Sequence, residues 1–202
     1  MHRQLNSFAN RDLRRRMAMC VLACLAVPLG LAMLAPPAAA QSAIANTQLQ
    51  RRVKAAFLVK FLGYVDFPAG AFVDHAAPLT IGVIDADDLV DELERAVAGR
   101  SINGRHIAVR RVREGEGGVP VHLLFVGGRD PVQVGHVVRQ ATGAMLVVTE
   151  CENGLRQGSA INFRLVDERV RFDVALEAAE RNGVKLSSRL LTVASRVQKG
   201  AQ

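Results

Sequence analysis

The chain has 202 residues and a formal net charge of +7, with 26 Lys and Arg against 19 Asp and Glu. Half of the residues are hydrophobic, yet there is no Trp and one Tyr, Tyr64, so no platform of large aromatic side chains exists on which nucleic-acid bases could stack. The length suits one domain with a proper core.

Residues 1–40 read as a leader rather than as part of the fold. A basic stretch with Arg11, Arg14, Arg15 and Arg16 precedes an apolar run from Met17 to Leu34, and small residues from Ala35 to Ala40 follow. That order is the signature of a secretory signal peptide, with Ala38 and Ala40 placing the cut before Gln41. Pro28, Gly30 and the pair Pro36-Pro37 suit peptidase access better than a permanent span, the competing reading. A lipoprotein cut at Cys24 fails because the apolar run continues past it. The expected division is a signal peptide over 1–40 and one domain over 41–202, working outside the cytoplasm. The leader holds five of the 26 basic and one of the 19 acidic residues, so 21 against 18 remain and the domain carries only +3. The high charge thus reports export rather than a nucleic-acid partner. Cys20 and Cys24 leave with the leader, so Cys151 stands alone, without an internal disulfide, as a buried apolar residue or a free thiol.

Along the domain, residues 48–64 read as a helix, with Leu49, Val53, Phe57, Phe61 and Tyr64 at three- and four-residue spacings. Leu79–Ile84 is the apolar run of a strand buried on both faces. Asp85 to Asp88 then open a helix carrying Leu89, Val90, Leu93 and Val97, which closes at Gly99. His106–Val112 reads as a strand, and Val121–Val126 as another buried one. Asp130-Pro131 starts a helix, an oxygen cap before a proline at the first helical position, and Ala144–Val148 is the next strand. Ala160–Val166 and Arg169–Val174 flank Asp167-Glu168 as a β-hairpin. With Val166 opposite Arg169, Phe163 faces Phe172, Ile161 faces Val174 and Leu165 faces Val170, so the apolar pairs share one face. A short helix from Leu176 ends at Asn182-Gly183, and a last helix carries Leu186, Leu190, Val193, Ala194 and Val197. Strands alternating with helices and then a hairpin predict a three-layer α/β domain, a mixed β-sheet flanked by helices.

Each chemical constellation has a structural competitor. Asp85, Asp87, Asp88, Asp91 and Glu92 gather where a strand meets a helix; they could hold Mg²⁺, but acids there also stabilise the helix dipole. His75, His106, His122 and His136 show no metal-ligand spacing, and His122, within an apolar strand, reads as a core histidine. Ser187-Ser188 lacks both a G-x-S-x-G elbow and a partner lysine, so Ser187 reads as a helix cap. Gly127-Gly128 lacks the full phosphate-binding spacing. No catalytic residue, cofactor or metal site is therefore expected. On the polar face of the hairpin, Arg164 lies opposite Arg171 and Asn162 opposite Asp173, with Arg169 nearby. Like charges across a ladder call for solvent or an acidic partner, so these five residues form the candidate partner-binding site.

The run from Leu146 to Val197, above all INFRLVDERVRFDV followed by KLSSRLLTVA, resembles the YfiR family of periplasmic proteins. The opening helix VKAAFLVKFLGYVDFP and the strands LTIGVI and VHLLFVG fit as well, in the family's order. The resemblance implies an exported α/β domain, often a homodimer, that binds the periplasmic sensor region of an inner-membrane diguanylate cyclase. Binding represses the cyclase, so cyclic-di-GMP and biofilm formation stay low, and an outer-membrane lipoprotein can sequester the repressor. The family has no catalytic residue to carry over. Two departures stand out: Gly158-Ser159 replaces the paired glycines before the INF strand, and a lone Cys151 removes the internal disulfides of some members. The alternative is a periplasmic small-ligand-binding module serving another sensor, with a pocket at the strand ends near Asp85 and Gly127.

Overall fold

A computed structural model describes residues 38–74, 76–116 and 121–200. The predicted leader lies outside the described residues except for its last three. Two compact units divide at residues 45 and 46. Of the first, only 38–45 is described, as the opening of helix α1 (Ala38–Leu62). Everything that follows concerns residues 46–200.

The second unit is a mixed α/β domain. Its main sheet contains β2 (Leu79–Ile84), β3 (Ser101–Ile102), β4 (Arg105–Arg111), β5 (Leu123–Val126), β6 (Leu146–Thr149), β7 (Ile161–Val166), β8 (Arg169–Ala175) and β10 (Arg196–Gln198). They lie in the order β10-β8-β7-β6-β5-β2-β4-β3. Neighbours from β4 to β7 run parallel, as do β8 and β10, whereas β7–β8 and β3–β4 are antiparallel. A separate two-stranded ribbon pairs β1 (Val65–Asp66) with β9 (Lys185–Leu186).

Alternation along the strands divides the core between two faces. On one face Ile81, Val83, Leu123, Phe125, Leu146, Val148, Ile161 and Phe163 pack with α1, with α2 (Asp87–Val97), with α4 (Leu176–Arg181) and with α5 (Ser188–Val193). On the other, Ile84, Leu124, Val126 and Val147 meet Val134, Val137 and Val138 of α3 (Pro131–Gln140). Strands covered on both sides must be apolar throughout, which is why β2, β5 and β6 read as unbroken apolar runs. Helix α3 starts as its sequence predicts: the Asp130 side chain accepts from the Val132 amide at 2.9 Å, with proline directly after it.

The β7–β8 register agrees with the pairing expected from the sequence at all six positions, Phe163 against Phe172 and Arg164 against Arg171 included. Asp167 and Glu168 both take left-handed backbone, the geometry a two-residue hairpin turn needs. Phe57, Phe61, Phe163 and Phe172 form one aromatic cluster, with Phe61 and Phe172 edge to face at 5.0 Å. At the hairpin tip the apolar face runs out of cover. The β6–β7 ladder stops at Asn162, and Leu165, expected among the core pairs, is 53% exposed.

Three expectations need correction. The stripe of α1 that enters the core is Ala55, Leu58, Val59, Phe61 and Leu62, while Leu49 and Tyr64 are exposed. The last helix is only Ser188–Val193, because Leu186 joins the β1 ribbon and Val197 joins β8 as an edge strand. Ser187 begins that helix by accepting from the Arg189 amide, and the Ser195 amide is bound to the Phe172 carbonyl, so tertiary pairing overrides the helical period. The hairpin β3–β4 was absent from the sequence reading. Its turn is Asn103-Gly104, both left-handed, a pair in which only the glycine takes that backbone without steric cost.

Candidate functional site

The five residues of the predicted partner site share one face of the β7–β8 hairpin, the face turned toward α3, but they divide into two groups. Asn162 and Asp173 are buried at the inner end, whereas Arg164, Arg169 and Arg171 are exposed toward the tip.

The inner group belongs to a closed polar network. Asn162 donates through Nδ2 to the Cys151 carbonyl at 3.1 Å. Thr149 Oγ1 lies 2.8 Å from both Ser159 Oγ and Asn162 Oδ1. A hydroxyl has a single proton, so Thr149 donates to the amide oxygen and Ser159 donates back to Thr149. Above them passes Gly154, whose missing Cβ would stand 2.8 Å from the Asn162 amide carbon. Every buried side-chain nitrogen and oxygen among the described residues has a partner, and such a network fixes the inner end of the hairpin rather than offering it to a ligand.

Arg164 joins the two groups. Its guanidinium grips Asp173 with two bonds, Nε at 2.8 Å and an Nη at 3.1 Å. The repulsion expected across the Arg164–Arg171 pair is thus relieved within the chain by a neighbouring carboxylate. Arg169 and Arg171 form no ion pair among the described residues and share their face at the tip with exposed Val166, while exposed Leu165 lies on the opposite face.

The other sequence candidates are committed to structural roles. Asp87 and Asp91 pair with Arg111, Asp88 with Arg51, and Glu92 with Arg95 at 2.9 Å, so these acids face cations, not a metal-sized gap. His122 is buried and uses both ring nitrogens: Nδ1 accepts from the Thr80 amide at 3.0 Å and Nε2 donates to the Ala71 carbonyl at 3.1 Å. It stacks on Phe72 at 4.6 Å, and Arg105 covers the Phe72 ring at 3.8 Å. Burial above all holds its pKa below the ordinary histidine value, with Arg105 adding to that and the bond to Ala71 opposing it. Cys151 is buried among apolar residues on the α3 face, and burial pushes its thiol up. Gly127 is required by close approach, since a Cβ there would meet the Asp85 carbonyl carbon at 2.9 Å. The space between these strand ends is therefore filled by backbone.

Beside that contact, at the strand ends where the alternative small-ligand reading expects a pocket, lies a cleft. It encloses about 360 Å³ and is lined by Arg51 and Lys54 of α1, Asp88, Arg129, Glu150 and Arg164. Lys54 pairs with Glu150, directly after β6. The signal was present as two cations three residues apart on α1, but nothing local announces that Arg51 faces Asp88 and that Lys54 faces Glu150, 96 positions away.

The fold is an α/β domain, as the resemblance implies. A model of the YfiR/HmsC-like family matches residues 51–195. The chain belongs to the YfiR/HmsC-like family. The matched stretch runs from within α1 through α5, so it includes the whole hairpin and the cleft lining from Arg51 onward. A search of curated proteins found no matching relative. Among the described residues no helix of this family member is long and apolar enough to cross a membrane, and no group of three or more His, Cys, Asp or Glu could hold a metal ion.

Proposed function

We propose that this protein is a periplasmic regulatory binding protein, not an enzyme. It represses an inner-membrane diguanylate cyclase by binding the cyclase's periplasmic sensor region, and so lowers cyclic-di-GMP and biofilm formation. Family membership supports the partner class. The observation that carries the choice of surface is the outer end of the hairpin, where Arg169 and Arg171, without an ion pair among the described residues, share a face with Val166, 38% exposed, and Leu165, 53% exposed, lies on the opposite face of the same ribbon. Cations beside apolar side chains on a rigid ribbon suit an acidic, partly apolar partner surface. Asn162, Arg164 and Asp173 support that end from within. The protein acts as a homodimer in this reading, and an outer-membrane lipoprotein releases the cyclase by sequestering it.

The test is binding of the purified protein to the periplasmic segments of the inner-membrane diguanylate cyclases of the same organism. Affinity should fall as salt rises, since the Debye length shrinks from about 10 Å at 0.1 M to about 3 Å at 1 M. Arg169→Glu with Arg171→Glu should weaken binding at least roughly tenfold while the fold stays intact. Arg164 is left alone, because a glutamate there would set a second carboxylate beside buried Asp173. Unchanged affinity of the double variant removes the hairpin from the interface, and no binding by wild type removes the partner.

A further inference from the structure

The cleft at the strand ends meets the partner-binding surface only at Arg164 and Leu165, and three observations bear on what it could hold. The first is its place in the topology. From β2 the chain crosses to β4 on one side, then returns past β2 to β5 on the other. Helix α2, which follows β2, packs on one face of the sheet, and α3, which follows β5, packs on the opposite face. Open α/β sheets bind ligands outside the carboxyl ends of their strands at such a reversal. Ala86, Arg129 and Glu150 come just after the ends of β2, β5 and β6, and Phe163 to Leu165 belong to the part of β7 that continues beyond β6.

The second observation is shape. About 360 Å³ falls within the range of small-molecule sites. Its apolar wall comes from Ala86, Leu89, Phe125, Phe163 and Leu165.

Charge is the third. Three cations, Arg51, Lys54 and Arg129, line the cleft against two acids, Asp88 and Glu150, while Arg164 borders it with its guanidinium held by Asp173 on the α3 side of the hairpin. Arg51, Lys54 and Arg164 are each positioned by an ion pair, to Asp88, Glu150 and Asp173 respectively. Arg129 has no ion pair among the described residues, so it is the charge left for a ligand.

We propose that this cleft binds a small organic anion, with its carboxylate or phosphate between Arg129 and Lys54 and an apolar body against Leu89 and Leu165. The proposal does not depend on the cyclase, so it can be tested on the purified protein alone.

Benzoate is the probe, with benzyl alcohol as its neutral counterpart and inorganic phosphate as an anion without an apolar body. Amide resonances of the nitrogen-15-labelled protein are followed during each titration. Benzoate should give saturable shifts centred on Lys54, Arg129 and Leu165 at millimolar concentrations, whereas benzyl alcohol should not. Arg129→Ala should weaken benzoate roughly tenfold, and Glu150→Gln, which removes one of the two lining acids, should strengthen it by a similar factor. Opposite movements of affinity are not what a merely structural role would produce, and the wild-type titrations stand even if a variant fails to fold. Absent benzoate shifts, an equal response to benzyl alcohol, or weaker binding by a folded Glu150→Gln protein would overturn the site. Phosphate shifting the same residues as strongly as benzoate would overturn the apolar half of the ligand assignment.

Discussion

Gly154 is confined to a bare α-carbon by the side chains it covers. A methyl group there would press on Thr149 and Asn162, which are already bound to each other and to Cys151 and Ser159. Gly154→Ala should therefore destabilise the protein by about 1–3 kcal/mol, the usual cost of forcing atoms into a packed site. A melting temperature within a degree of wild type would show that the network yields freely. At His122 the relevant variable is pH. Its folded pKa lies below the ordinary value of about 6.5, so the unfolded chain takes up the proton first as pH falls. Above about pH 6.5 both states are neutral at this site and it adds no pH dependence; below it, stability drops by up to about 1.4 kcal/mol per pH unit until the folded state's own pKa is reached. Thermal melts from pH 8 to pH 5 should show that loss, and His122→Asn, which still offers an acceptor to the Thr80 amide, should flatten it. A wild-type profile level below pH 6.5 would mean that the ring is charged in the fold. The sequence placed His122 in an apolar strand and so in the core, but Thr80 and Ala71 lie 42 and 51 positions away, and no local pattern names them as its partners.

At the scale of elements, the hairpin shows what period alone can specify. Alternation of two, a two-residue turn and a set of mutually agreeing apolar pairs left one register for β7 and β8, and the structure has that register. Burial followed only as far as the neighbouring strand extends, so Leu165 keeps its parity but not its cover. Phe172→Ala should cost about 3–5 kcal/mol, as for other buried aromatics, because the ring packs against both Phe57 and Phe61. A chemical denaturation midpoint close to that of wild type would mean that the aromatic cluster is not packed. The C-terminal segment shows the opposite case. Leu186, Leu190, Val193 and Val197 fit one helical stripe, yet only the middle pair is helical, since β1 and β8 offer edges to the flanks. Edge pairing is a long-range fact that local spacing does not encode.

Across the whole molecule, the alternation of strands and helices made the class of fold legible, and a pocket near Asp85 and Gly127 could be expected, while strand order and the α1 and β7 residues that line the cleft were not legible, since both depend on which distant ends meet. That Asn162, Arg164, Arg169, Arg171 and Asp173 share one face of the hairpin was legible. Its division into a buried inner end and an exposed outer end required knowing that the Gly154 segment covers the inner part of that face. With Asn162, Arg164 and Asp173 engaged inside the chain, the cations left to meet a partner there are Arg169 and Arg171. The central claim is repression of a membrane diguanylate cyclase, and the most direct measurement is cellular cyclic-di-GMP with the gene deleted. The account predicts a rise, reversed by the wild-type gene and poorly reversed by the Arg169→Glu, Arg171→Glu variant. Cyclic-di-GMP unchanged or lowered by the deletion would contradict it.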